Sequence, residues 1–307
     1  MLKNQKFGVE VEITGITRKK AASIVAESLG TTPSNSDTTC YYTRTIIDQT
    51  GRIWKIMRDS SIDPTINDGT HDCLDKYRVE LVTPPLEYSD IELLQSIIRN
   101  LRANGAKTNS SCGIHIHIDG TNHNPKSLRR LVNFITSRQD LIYEALEIGI
   151  RANRWCQKLN TALLAEMKKD KNLSREKAEQ IWYSNVNDGY SGGISYTHYN
   201  STRYHGVNLH SYFSKGTVEF RLFNSTLHAG KVKAYIQFCL AISAWAITSQ
   251  EKIAFRSMAG YTAEKKVTIM RNILTHRLGL YGDEFKTCRL HLMTPLKKSA
   301  STACGAA

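Results

Sequence analysis

The sequence predicts an α+β protein, with an antiparallel sheet that carries helices on one face and leaves the other open for chemistry. Three observations lead there. Four runs, Phe7-Gly-Val-Glu-Val-Glu-Ile, Val79-Glu-Leu-Val-Thr, Gly113-Ile-His-Ile-His-Ile and Val218-Glu-Phe-Arg-Leu, alternate apolar residues with charged or imidazole side chains. That period of two belongs to strands, whose side chains point alternately to opposite faces. The segments between these runs place apolar residues at helical spacing, and no repeat or linker composition divides the chain. A single domain over residues 1–296 is therefore expected, with a helical insertion at about 125–185, a basic helical part at about 230–296 and a flexible tail at 297–307.

In chain order, Thr17 to Leu29 reads as a short helix with Ala21, Ile24, Val25 and Leu29 along one stripe. Tyr41–Ile47 and Arg52–Met57 read as two strands around an Asp48-Gln-Thr-Gly51 turn, which delivers Asp59 to the loop beyond. Ser89-Asp-Ile-Glu92 has the spacing of a capping box and opens a helix that Asn104-Gly105 ends. Ser127 to about Ile150 reads as one long helix, and Ala162 to Tyr183 as a second. Further helices are expected over Lys231–Thr248 and Thr262–Leu278, with fraying from Lys297 onward.

Composition excludes several classes. With 307 residues, 41% hydrophobic and 22% charged, the chain can bury a sizeable core. Its most apolar run, Cys239 to Ile247, is too short to span a bilayer, and Met1-Leu-Lys-Asn-Gln-Lys lacks the apolar stretch of a secretion signal, so a cytoplasmic protein without membrane attachment is expected. Seven dispersed cysteines with no Cys-x-x-Cys pair argue for free thiols. The formal charge is +13, and from Gly230 onward twelve Lys or Arg stand against four Asp or Glu. Such a surface attracts anions, whether nucleotide, carboxylate substrate or nucleic acid, or it is simply a solvated helix face.

Singly, each charged strand has an ordinary explanation. Glu-x-Glu suits a solvated face, His-x-His a metal, a phosphate or two hydrogen-bonding histidines, and Val-Glu-Phe-Arg a cross-strand ion pair. Together they put Glu10, Glu12, Glu80, His115, His117, Glu219 and Arg221 opposite apolar partners on one sheet. Carboxylates gathered in a cleft repel and are costly to desolvate unless cations compensate them. A carboxylate-rich site with an imidazole and no thiolate suits Mg²⁺ or Mn²⁺ that also holds phosphates. No Gly-x-x-x-x-Gly-Lys-Ser/Thr loop is present, so a nucleotide would be held through metals and basic side chains.

These motifs resemble a known family. Ser111-Cys-Gly-Ile-His115-Ile-His117 is similar to the Gly-x-His-x-His strand of the glutamine synthetase and glutamate-cysteine ligase superfamily, and Phe7-Gly-Val-Glu10-Val-Glu12 to its first metal-binding strand. The amidoligase branch adds a loop Asp before Ser-Ile, a Glu-x-x-Ser/Thr-Pro-Pro run and an Arg-Tyr with a following Asn. Asp59-Ser60-Ser61-Ile62, Glu80-Leu-Val-Thr83-Pro84-Pro85 and Arg203-Tyr204-His-Gly-Val-Asn208 match these, in the family's order, between Phe7 and Ala246. Ser60 stands for a frequent Gly and Thr83 for a frequent Ser.

The resemblance implies an ATP-dependent ligase joining a small-molecule or peptide carboxylate to an amine through an acyl phosphate, on the curved, mainly antiparallel sheet of that superfamily. It implies that Glu10, His115 and Glu219 hold the metal nearer the nucleotide phosphates, and Glu12 with Glu80 the one nearer the carboxylate. It also places Arg221 and Arg203 on the transferring phosphoryl group, His117 on a phosphate oxygen, Asp59 with Ser61 at the incoming amine, and Asn208 at the substrate. Two other readings stand beside it. His-x-His also opens the barrels of metal-dependent amidohydrolases, although there it sits on the first strand, and the basic last quarter with its Tyr-rich neighbour from Tyr183 to Tyr212 suits nucleic acid. Gly189-Tyr-Ser191-Gly-Gly193 fits the pattern of a nucleophile elbow but lacks the apolar strand before it and the helix after it, and reads as a loop or flap. Cys112 and the four tryptophans, Trp54, Trp155, Trp182 and Trp245, read as packing.

Overall fold

The structure, a computed structural model, describes residues 1–66, 74–185, 193–197, 199–250, 258 and 260–304. The fold is α+β. The strands are β1 (Phe7–Ile13), β2 (Arg44–Ile47), β3 (Ile53–Met57), β4 (Val79–Val82), β5 (Gly113–Asp119), β6 (Val207–Asn208) and β7 (Thr217–Asn224). They form one open antiparallel sheet in the order β2-β3-β4-β1-β5-β7-β6. The described residues contain ten α-helices.

The chain divides into two compact units. One comprises residues 3–116 and 223–235. In it, helix α1 (Arg18–Ser28) packs on β2, β3 and helix α2 (Ile91–Ala103). The Thr17 hydroxyl accepts from the Lys20 amide and so starts α1 where the sequence predicts. Register explains the core face: Val11 lies opposite Leu81, Leu81 opposite Ile56, and Ile46 opposite Trp54. These five side chains are all buried, as are Val9 and Ile13. The hairpin turn is tied by Asp48, whose carboxylate accepts from the Thr50 and Arg52 amides and from Trp54 Nε1. Helix α2 departs from expectation at its start. Its capping box is formed by Glu87 and Asp90 around a 3-10 turn, Tyr88–Asp90, because that extra turn moves the unpaired N–H groups upstream of Ser89 and Glu92.

The other unit comprises residues 1–2, 117–222 and 236–307. The long helix expected from Ser127 is two helices, α3 (Pro125–Thr136) and α4 (Gln139–Ala145), and positive φ at Glu147 and Gly149 prevents continuation to Ile150. The second is likewise split, into α5 (Thr161–Lys169) and α6 (Arg175–Asn185), at Asp170, whose carboxylate accepts from the Asn172 amide. Short polar side chains of this kind compete with the helical hydrogen bond. Helix α7 (His210–Lys215) is not visible in the sequence pattern, and α8 (Ala229–Thr248) begins two residues before its expected start. After α9 (Ala263–Asn272) a π turn, Ile273–Arg277, carries the chain to Leu278. The segment expected to fray from Lys297 is helical through Cys304 in α10 (Lys286–Cys304), which buries Leu292, Met293 and Leu296 and packs on α9 and α4.

Cys40, Cys112, Cys156, Cys239 and Cys288 are free thiols, while Cys73 and the Cys304 side chain lie outside the described residues, as do Gly189–Gly192 of the Gly-x-Ser-x-Gly run. Trp54, Trp182 and Trp245 are buried and Trp155 half-buried. No helix among the described residues is long and apolar enough to cross a membrane. On the face opposite the apolar core, Glu12, Glu80 and His115 are 3%, 7% and 3% exposed, while Glu10 and His117 are half-buried. Sequence alternation marks which face a residue occupies, not whether that face is covered.

Candidate metal centre

Strand register brings the first two carboxylates together. In the antiparallel pair of β1 and β4, Glu12 lies directly opposite Glu80. The Thr83 hydroxyl fixes that register by accepting from the Val9 amide at 2.9 Å and donating to the Pro84 carbonyl at 2.9 Å. Like charges facing each other across a ladder destabilise a sheet, and burial removes the water that would screen them. Here both are buried.

His115 of β5 completes the group. Ligand atoms of Glu12, Glu80 and His115 all lie within 4.8 Å of one another. The imidazole is flanked by acids: Nδ1 is 2.9 Å from Glu10 Oε2 and Nε2 is 3.8 Å from Glu12 Oε1. The other Glu12 oxygen accepts from the Gly113 amide at 2.6 Å, and the Glu12 carbonyl accepts from the Ser225 hydroxyl at 2.6 Å, so side chain and backbone of Glu12 are both held. Three acids around one imidazole in a covered site form an oxygen-rich set with one nitrogen, which fits a hard divalent cation. A carboxylate on the far nitrogen of a ligand histidine is the usual device for fixing its tautomer and orientation.

The unit that holds β7 shows how Glu219 is prepared. β6 pairs with β7 so that Asn208 lies opposite Glu219. Asn208 Nδ2 donates to one Glu219 oxygen at 2.6 Å and Arg221 Nη1 donates to the other at 2.6 Å. Residues Glu219 and Arg221 are both 4% exposed. Arg221 also sends Nε to the Trp155 carbonyl at 3.4 Å, and its guanidinium lies 5.9 Å from the Tyr204 ring centre. His117, on β5, is oriented by hydroxyls: Nδ1 is 2.9 Å from Thr217 Oγ1, which is 2.9 Å from Ser211 Oγ, while Nε2 is 3.9 Å from Glu219 Oε1.

The remaining expected residues lie as follows. Asp59 Oδ1 accepts from the Ser61 amide at 2.6 Å, an Asx turn that holds the loop. Arg203 is half-buried with Tyr199 and Tyr204 each 5.7 Å from its guanidinium. Nearby, His210 is held below the usual histidine range by burial and by the Arg203 charge, and its Nδ1 is 2.7 Å from the Tyr183 hydroxyl. Cys112 is buried with its thiol on Asn109 Oδ1 at 3.4 Å, a packing role.

Sequence reasoning missed Thr217 and Ser211 behind His117, and it missed that Asn208 and Arg221 serve Glu219. An Asn in a two-residue strand leaves no periodic signal. The chemistry open to this arrangement is cation binding by Glu12, Glu80 and His115, with guanidinium groups beside further acids.

Residues 3–243 match the family described as "Putative amidoligase enzyme". No curated protein matches the chain.

Proposed function

Because the chain belongs to that amidoligase family, we propose that it joins a carboxylate to an amine at the expense of ATP, with Mg²⁺ or Mn²⁺ bound by its strand acids. The observation that carries this reading is the opposed, buried pair Glu12 and Glu80 beside His115. Such a pair is costly in an empty site and favourable around a divalent ion. Glu12, Glu80 and His115 hold the ion in this proposal, and on the motifs alone Glu10 and Glu219 are assigned as further ligands.

Bound there, a divalent ion supplies neutralisation of phosphate charge during phosphoryl transfer to the substrate carboxylate. The chain's residues do the rest. Glu10 orients His115 through Nδ1. Asn208 and Arg221 keep the Glu219 carboxylate in one rotamer. Arg221 and Arg203 stabilise charge on the transferring phosphoryl group, and His117, turned by Thr217, contacts a phosphate oxygen. Asp59, with Ser61 holding its loop, accepts a proton from the attacking amine.

The purified protein, given ATP, Mg²⁺, hydroxylamine and a pool of amino acids and short peptides, is expected to form hydroxamate with one ADP for each product. Glu12→Gln and Glu80→Gln should each lower the rate by roughly 100-fold or more, since even groups behind a metal ligand are worth 10–100-fold. Product formed by both variants at the wild-type rate would reject these ligands, and ATP-independent hydrolysis of an amide would favour a hydrolase instead.

A further inference from the structure

We propose that Arg58 and Arg78 form a subsite for the carboxylate of the amine-bearing substrate, so that the acceptor is a free amino acid. The inference rests on the ligase reading for its substrate class and on separate residues for its geometry. Three guanidinium groups converge on the single carboxylate of Asp75. Arg58 Nε donates to Asp75 Oδ1 at 2.5 Å, Arg18 Nη2 donates to Oδ2 at 3.0 Å, and Arg78 Nε is 3.6 Å from Oδ1. Among the described residues, three positive charges meet one negative there. Asp75 is ionised at neutral pH: burial pushes its carboxyl up, but the Arg58 hydrogen bond and the Arg18 charge outweigh that and hold it below the usual range.

The three arginines differ in what they have left to give. Arg18 is spent on the fold, with Nη1 on the Asp75 and Arg78 carbonyls at 2.5 and 3.0 Å, Nη2 on the Asp75 carboxylate, and its guanidinium 5.3 Å from the Tyr42 ring centre. Arg58 commits only Nε, and among the described residues neither of its terminal nitrogens has an acceptor. Arg78 commits Nη1 to the Ser60 carbonyl at 2.5 Å, and its Nη2 likewise has none. Both side chains are about a quarter exposed, so an anion can reach them. A guanidinium edge matches a carboxylate in a two-point fork, and the pairing with Asp75 shows that carboxylates fit this cluster.

Location links the cluster to the reaction. Arg58 immediately precedes Asp59, Arg78 grips the Ser60 carbonyl of the same loop, and two residues after Arg78 comes Glu80 of β4. The loop thus offers an acid for an ammonium group next in sequence to the Arg58 fork, with Arg78 Nη2 as a further donor for a carboxylate, the charge pattern of an amino acid. A phosphate ester is the poorer match, because its second negative charge would face both Asp59 and Asp75.

Acceptor preference tests this. With a donor carboxylate identified by the hydroxamate screen, the twenty amino acids are compared with amines lacking the carboxylate, such as methylamine against glycine and ethylamine against alanine. Amino acids should be preferred by at least about 100-fold in kcat/KM. Arg58→Gln and Arg78→Gln should collapse that ratio to a few-fold, chiefly by raising KM. If Arg58→Gln lowers the thermal midpoint, Arg58→Lys keeps the charge opposite Asp75 without the fork and should lose the preference too. Ligand-observed NMR without ATP gives a readout independent of turnover: one or more amino acids should bind wild type and not Arg58→Gln or Arg78→Gln. Binding lost in the variants while no ADP forms would leave the subsite standing and remove the ligase reading. Equal use of amines and amino acids, an undiminished preference in both variants, or inorganic phosphate binding through Arg58 in place of amino acids would overturn the subsite.

Discussion

Gly206 shows how tightly single positions are constrained around Arg221. A Cβ there would sit 2.3 Å from the Tyr143 hydroxyl and 2.5 Å from a Leu222 methyl. That hydroxyl cannot swing away freely, since it donates to the Cys156 and Gln157 carbonyls at 2.7 and 2.9 Å. The Gly206 carbonyl also accepts from the Arg221 amide at 2.8 Å. Gly206→Ala is therefore expected to cost about 2 kcal/mol or more in urea unfolding and to disturb Arg221. An unchanged midpoint would mean that this corner relaxes. At the same scale, Thr83 does what the more frequent Ser also could, because only its hydroxyl is used to lock β1 on β4.

Among elements, the end of β5, helix α3 and helix α8 are joined through one buried imidazole. His123 has Nδ1 3.0 Å from the Ser127 hydroxyl on α3 and Nε2 2.9 Å from the Ser243 hydroxyl on α8. Burial first and the Arg130 charge second lower its pKa to about 4, with Asp119 opposing. Its folded pKa lies below the unfolded value near 6.5. The neutral ring therefore contributes stability above about pH 6.5 that is lost as pH falls through about 4. The contribution is on the order of 3 kcal/mol from 1.4 kcal/mol per pH unit. Urea midpoints measured from pH 7 to 4 should fall more steeply for wild type than for His123→Asn, and parallel slopes would refute the assignment.

For the whole molecule, the proposed ion site predicts that the buried acids couple folding to cations. Without metal, Glu80→Gln should unfold later than wild type, because it removes a like charge opposite Glu12. With saturating Mg²⁺ or Mn²⁺ the order should reverse. An ion held only by the folded state raises wild-type stability by about 2.7 kcal/mol at 100 times its Kd, roughly 4 °C in midpoint, and the variant should gain little of this. Scanning calorimetry with and without Mn²⁺ reads both effects, and a metal shift equal in the two proteins would reject Glu80 as a ligand.

The strands and their inward faces were legible because alternation survives wherever one face is apolar, as in Val9, Val11 and Ile13. Helix existence was legible too, but not helix limits. Apolar spacing does not mark the end of α4 before Glu147 or the break at Asp170, where backbone φ and a side-chain hydrogen bond decide the outcome. Helix α10 was hidden by Pro295 and Lys297-Lys298, and tertiary packing of Leu292 and Leu296 holds it together.

The residue types of the site were determined by the sequence alone: acids and imidazoles alternating with apolar residues on strands, and a family pattern that residues 3–243 match. Only tertiary structure decided which of these meet. Glu12 and Glu80 are 68 positions apart and become neighbours through one antiparallel register. Arg58 and Arg78 gather at Asp75 from separate segments, and Asn208 reaches Glu219 across a two-residue strand. Periodicity reports local geometry within a few residues, whereas Coulomb repulsion, burial and ligand geometry depend on distances that only the folded chain defines.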